Sequence, residues 1–230
     1  MKKTTFKLDN GIVLSNIYDL DGGGSTHYRD FLEIVNTKGK RSYTRALEWC
    51  AGPAFIGYAM LGNNICDHLV LMDIYEPAIV SCRNTAINNN LYDSITTYCI
   101  DAISKLPTTE KFDLVLGNPP HVSNRNEFID HMMLEAKEHG DTLLEYNIDL
   151  ATRLVVDQDQ AIHIEFFKNI CKYLLPGADL FISEPGNGEM MPEIIEYATT
   201  NGLTFIGDYP LPSMRSSAQH ATILHFKGPQ

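Results

Sequence analysis

A short apolar run that stops on two prolines constrains this chain most. Phe112-Asp113-Leu114-Val115-Leu116-Gly117 is followed at once by Asn118-Pro119-Pro120-His121. The run is short, mostly apolar and compatible with β-structure, as expected of a buried strand. Proline has no N–H to give a sheet and fixes φ, so two in succession end the strand. The loop beyond is rigid, and it presents the Asn118 side chain at the strand's carboxyl end. In open α/β sheets ligands bind at that end. Asn118 offers one acceptor oxygen and two donor hydrogens in a fixed plane. The Pro119 carbonyl adds an acceptor with no competing N–H. Together they can hold a planar –NH2 group by both its hydrogens.

The rest of the chain alternates. Strands are predicted at Ala46–Cys50, His68–Asp73, Ile95–Ile100, Phe112–Leu116 and Leu180–Ser183. Helices are predicted at Thr26–Val35, Ala54–Leu61, Pro77–Asn89, Glu165–Leu174 and Met191–Thr200. Such alternation argues for parallel βαβ units. Two further strands, 204–208 and 221–226, have no helix between them, which predicts a terminal antiparallel hairpin on a mostly parallel sheet. Residues 1–45 form an arm before the main domain, 46–230. The arm opens with a hairpin around Asp9-Asn10-Gly11, and Gly22-Gly23-Gly24 marks a joint. Residues 123–163 interrupt the pattern directly after the proline loop, with helical pieces at Glu127–Glu138 and Ile148–Val156. An insertion there reads as a lid or binding loop.

The chain has 230 residues, a formal charge of −11 and a pI near 5.1. That balance argues against broad nucleic-acid binding, which relies on Lys and Arg to neutralise phosphates. The five cysteines have no C-x-x-C spacing, so neither a zinc site nor a disulfide framework is suggested, and a reduced cytoplasmic protein is expected. Met1-Lys2-Lys3 leads into a polar segment, so no signal peptide or membrane span is expected. His131, His139 and His163 fit no metal-ligand spacing and read as part of a solvated lid.

Three more polar groups stand at strand ends. Glu48 precedes Trp49-Cys50-Ala51-Gly52-Pro53-Ala54, a turn of small residues that opens a helix and lets backbone approach a ligand. Asp73 follows 25 residues after Glu48, the place of a ribose-binding acid in a mononucleotide-binding half. Asp101 ends the next strand, where it can accept from an adenine amine. Trp49 reads as core packing, and Glu184 as a substrate contact at the end of the Leu180–Ser183 strand.

In this order, Glu48…Gly52, Met72-Asp73-Ile74, Ile100-Asp101-Ala102 and Asn118-Pro119-Pro120-His121 resemble the class I S-adenosylmethionine-dependent methyltransferases. The likeness spans residues 44–226, and within that class it is to the (D/N)-P-P-(Y/H) branch, HemK-like protein-glutamine and nucleic-acid amine N-methyltransferases included. The resemblance implies a Rossmann-like α/β fold: a seven-stranded sheet, mostly parallel with an antiparallel last strand, and helices on both faces. It implies S-adenosylmethionine as cofactor and S-adenosylhomocysteine as product. Glu48, Cys50, Ala51 and Gly52 would hold the methionine part. Asp73 with Ile74 would hold the ribose, and Asp101 with Ala102 the adenine. Asn118 and the Pro119 carbonyl would grip the amine, with His121 in the place of the usual aromatic ring. Cys50 and Ala54 stand where the family often has Gly, and about 45 residues precede the core where HemK-like enzymes carry a separate N-terminal helical domain. The acidic charge favours a protein side-chain amide or a small molecule as acceptor. Adenine N6-methylation of RNA or DNA with a basic partner subunit, and a silent cofactor-binding scaffold, are the alternatives.

Overall fold

The computed structural model describes residues 5–15, 24–139, 152, 155–185, 191–214 and 221–230. Its strands are β1 (Thr5–Lys7), β2 (Val13–Ser15), β3 (Tyr43–Trp49), β4 (Cys66–Asp73), β5 (Ile95–Cys99), β6 (Phe112–Gly117), β7 (Leu174–Pro185), β8 (Thr204–Pro210) and β9 (Ala221–Lys227). Its helices are α1 (Gly24–Lys38), α2 (Phe55–Gly62), α3 (Glu76–Asn88), α4 (Arg125–His139), α5 (Ala161–Ile170) and α6 (Met191–Thr200). Seven strands form one sheet in the order β5-β4-β3-β6-β7-β9-β8. The pairs β3–β4, β4–β5, β3–β6 and β6–β7 are parallel. Only β9 runs against the rest, wedged between β7 and β8.

Both faces of the central strands β3, β4, β6 and β7 are covered, which is why they read as largely apolar runs, whereas the edge strands β5 and β8 are partly exposed. Successive side chains of a strand point to opposite faces. Ala46, Leu69, Leu71, Leu114 and Leu116 meet α1 and α2 on one side through Phe31, Val35, Phe55 and Tyr58. Leu47, Trp49, Val70, Val115 and Leu180 meet α5 and α6 on the other through Phe166, Phe167, Ile170 and Ile194. Trp49 lies in this second core, stacked on Phe166 at 3.8 Å. The β1–β2 hairpin closes over the first core: Val13 N–H donates to Asn89 Oδ1 at 3.0 Å and Ser15 N–H to Thr85 Oγ1 at 2.9 Å, both on the α3 side.

Two boundaries depart from expectation. The helix expected over Glu165–Leu174 runs over Ala161–Ile170, and Leu174 already belongs to β7. The strand expected over Leu180–Ser183 is the middle of twelve residues, because Pro176-Gly177 passes through as an irregularity, with Gly177 at φ +65° and the register to β6 shifting between Phe112 and Leu114. The helix expected over 148–156 lies largely outside the described residues; Val156 pairs in parallel with Val122. Gly22 and Gly23 also lie outside them, while Gly24 opens α1.

The amino ends of the parallel strands are fastened by acids. Asp113 accepts from the Thr44 and Arg45 N–H groups at 2.8 and 2.9 Å. Arg45 forks onto Glu110 at 2.8 and 2.9 Å. Asp179, fully buried, meets the Tyr43 hydroxyl, His225 Nε2 and Lys227 Nζ at 2.9, 2.7 and 2.6 Å.

The packing of α2 on β3 rests on one glycine. A Cβ on Gly57 would stand 2.5 Å from Glu48 Oε2 and 2.8 Å from Leu69 Cδ2. Gly57→Ala would normally strengthen a helix by about 1 kcal/mol. Here it is expected to destabilise the protein by about 1–3 kcal/mol through overpacking, read as a lower urea midpoint.

Candidate active site

The carboxyl ends of the parallel strands form one row. Trp49 lies opposite Met72 and Gly117, and Gly117 opposite Ile182. The residues one step on, Cys50, Asp73, Asn118 and Ser183, therefore emerge level with one another. β3 is flanked by β4 on one side and β6 on the other, so the chain turns in opposite directions from this strand. In open α/β sheets that switch point opens a crevice.

The β3–α2 loop is wound tightly. Cys50, Gly52 and Ala54 have φ of +54°, +51° and +62°. This left-handed region costs a non-glycine residue about 1–2 kcal/mol. The two positions that depart from glycine in sequence thus keep a glycine-like backbone. Two contacts hold the loop: Ala51 N–H donates to the Met72 carbonyl at 3.0 Å, and Gly52 N–H to Asp73 Oδ2 at 2.8 Å. Asp73 Oδ1 accepts from Tyr75 N–H at 2.8 Å, so one carboxylate ties the loops after β3 and β4 together. Burial raises its pKa against these hydrogen bonds. Ile74 beside it is 68% exposed, an apolar side chain held out over the strand ends.

Glu48 is placed differently. It is buried beneath α2, and its Oε2 accepts from Gly57 N–H in the helix's first turn at 2.8 Å. Burial pushes its carboxyl up to about 8. Asp101 lies beyond the end of β5 and is exposed, paired with Lys105 Nζ at 2.5 Å, a contact that lowers its pKa. Ala102, half-buried, accepts from Lys105 N–H at 3.1 Å.

Asn118 is half-buried, and Pro119 and Pro120 are buried. The loop is clamped from beyond: His121 N–H and Val122 N–H both donate to the Val155 carbonyl, at 2.9 and 2.7 Å, and Asp157 N–H returns to the Val122 carbonyl at 2.9 Å.

Behind this loop lies a charged network that sequence reading missed. His163, expected in a solvated lid, is fully buried on α5. Its Nδ1 meets Asp157 Oδ2 at 2.6 Å and its Nε2 meets Glu184 Oε1 at 2.9 Å. Asp157 also accepts from Ile162 N–H at 2.7 Å and so caps α5. Glu184 Oε2 faces His121 Nδ1 at 3.4 Å. Burial alone would lower the His163 pKa, yet the two carboxylates raise it to about 9. Burial alone would raise Glu184, yet His121 and His163 hold it at about 2. The spacing from Asp157 to His163 places both at one end of a helix, the one signal that tied them in sequence.

Residues 31–143, just short of half the chain, match the family model of the methyltransferase small domain. Solved structures share the fold. A methyltransferase from Pyrococcus furiosus is 15% identical with a TM-score of 0.58, over 89% of this chain and 84% of that one. The 16S rRNA N2 methyltransferase RsmC of Thermus thermophilus, solved with AdoMet and guanosine, is 15% identical with a TM-score of 0.61, over 99% and 50%. TrmN from Thermus thermophilus is 13% identical with a TM-score of 0.56, over 87% and 48%. The chain thus carries a partial match to the methyltransferase small domain and shares the fold of solved methyltransferases. The chain spans about half the length of the last two. A comparison with curated proteins finds no match. No helix among the described residues is long and apolar enough to cross a membrane.

The burial of Glu48 has a pH signature. Its folded pKa, about 8, lies above its ordinary value of 4.5. Between those values the folded protein keeps a proton that the unfolded chain releases. Stability therefore falls as pH rises through that window and levels off above it. Glu48→Gln retains an acceptor for Gly57 and does not ionise. Urea unfolding should show the variant gaining on the wild type between pH 5 and 8.5, on the order of a few kcal/mol.

Proposed function

We propose that this chain is an S-adenosylmethionine-dependent methyltransferase that acts on the –NH2 nitrogen of an amide or amine, in the manner of the HemK-like branch, with a glutamine-like protein side chain or a small molecule as acceptor. The observation that carries the reading is the level emergence of Cys50, Asp73 and Asn118 at the switch point. In it the cofactor side, Cys50, Ala51, Gly52, Asp73 and Ile74, faces the acceptor side, Asn118, Pro119 and His121. Asp73, half-buried with each oxygen keeping a second lone pair, suits the ribose hydroxyls. The exposed Ile74 suits a flat base, with Asp101 and Ala102 at its rim. Glu48 acts from below by setting α2 and the loop above it. Residues 1–45 and 123–163 supply the acceptor-side surface. Five free cysteines, Cys50, Cys66, Cys82, Cys99 and Cys171, fit a reducing, cytoplasmic setting.

S-adenosylmethionine supplies an electrophilic methyl group when bound. The protein's part is to aim the nitrogen and to exclude water. An amide lone pair is delocalised and attacks poorly. Asn118 Oδ1 and the Pro119 carbonyl, accepting from both hydrogens of the –NH2, raise electron density on nitrogen as it attacks. Contacts that strengthen in this way lower the barrier. Asn118→Ala should leave S-adenosylmethionine affinity unchanged by calorimetry and cut methyl transfer by about 10²–10³-fold. Asp73→Ala should lose at least tenfold in that same affinity, because charge-assisted hydrogen bonds are worth about 1.5–3 kcal/mol. Full methyl transfer by Asn118→Ala would remove the amine grip. Tritium transfer into protein, nucleic-acid and small-molecule fractions of an extract identifies the acceptor.

The likeness to RsmC supports a second reading, an exocyclic amine of RNA. The charge of −11 opposes it for the chain alone. Binding to unstructured RNA should be weak, and tight binding that falls steeply with salt would reverse the preference, since each phosphate contact releases counterions.

A further inference from the structure

We propose that His121, His163 and Glu184 bind a divalent transition-metal ion of the zinc type, which pins the Asn118–His121 loop to α5 and to the end of β7. Donor atoms of the three residues all lie within 4.8 Å of one another. Hydrogen bonding leaves the cluster incomplete. Glu184 Oε2 and His121 Nδ1 are both buried, and among the described residues neither has a hydrogen-bond partner. They face each other at 3.4 Å, too far for a well-formed hydrogen bond. Two donors bound at about 2.0–2.1 Å to one tetrahedral ion stand about 3.4 Å apart. One ion between them satisfies both.

The outer contacts and the charge agree. Asp157 accepts from His163 Nδ1 at 2.6 Å, which leaves Nε2 as the ligand nitrogen. A carboxylate in that place is the usual support of a metal-binding histidine. Asp157 and Glu184 place two buried carboxylates around His163, and a divalent ion bound at Nε2, with any proton there released to solvent, matches their charge. Two imidazoles with one carboxylate suit zinc, whereas magnesium and calcium prefer all-oxygen shells. Trp49, edge-on to His163 at 5.5 Å, and Phe167 form an apolar wall behind the site. His121, 25% exposed, is its open side. Three ligands leave a fourth position toward that side.

The inference is independent of the acceptor, and its test needs neither S-adenosylmethionine nor methyl transfer. Full-length protein stripped with EDTA is titrated with zinc in competition with a chromophoric chelator, and with cobalt(II) followed by visible absorption. One equivalent of zinc and a tetrahedral cobalt spectrum are expected. Asp157→Asn should weaken zinc by about 10–100-fold, and His121→Ala by more. His68→Ala, in β4 beside Thr96, should bind as the wild type. His121→Ala changes a partly exposed residue, and circular dichroism checks its fold, so the test stands even where Glu184→Gln fails to fold. Absence of zinc binding by the wild type, or equal affinity in His121→Ala, would overturn the proposal. So would a His163 ring that keeps both protons in NMR with zinc present.

Discussion

Burial of the parallel sheet on both faces is the constraint from which the rest of this structure follows. With α1 and α2 on one side and α5 and α6 on the other, the apolar mid-strand side chains of β3, β4, β6 and β7 are shut away from water. A polar group there needs a partner inside. Chemistry is therefore displaced to the strand ends, and the two ends are used differently. At the amino ends, Asp113, Asp179 and the Arg45–Glu110 pair fasten neighbouring strands. The carboxyl ends are left to loops.

Those loops are held by a few carboxylates. Asp73 grips the backbone after β3 and after β4 at once, which keeps Cys50 and Ala54 in a left-handed conformation that neither residue favours. Glu48 fixes the first turn of α2 from beneath, at the cost of a carboxyl that prefers to stay protonated. Rigid loops follow from local strain and buried acids acting together.

Around the Asn118–His121 loop the same economy recurs. Asp157 starts α5, orients His163 and ties its own backbone to Val122. Glu184 closes the circuit to His121. The proline loop is thereby joined to two elements distant in sequence, α5 and β7.

Much of this was legible in the sequence because it depends on local rules. Alternating strand and helix patterns, paired prolines after an apolar run, and acids at strand ends each reflect backbone chemistry or two-sided burial, and both leave a periodic trace. The tail's departure from alternation likewise announced β9. Helix boundaries near 161–174 were not legible, since Leu-Pro-Gly-Ala can end a helix or pass through a strand, and only pairing with β6 selects the strand. Glu48 showed its position but not its partner, which comes from the approach of α2. The sequence by itself determined which residues stand at the strand ends, because a doubly covered parallel sheet permits polar groups little else. Tertiary structure alone decided that His163 is buried between Asp157 and Glu184, because that charge network is made by elements brought together across β6 and β7, and a histidine between acids looks the same in sequence whether water or a carboxylate surrounds it.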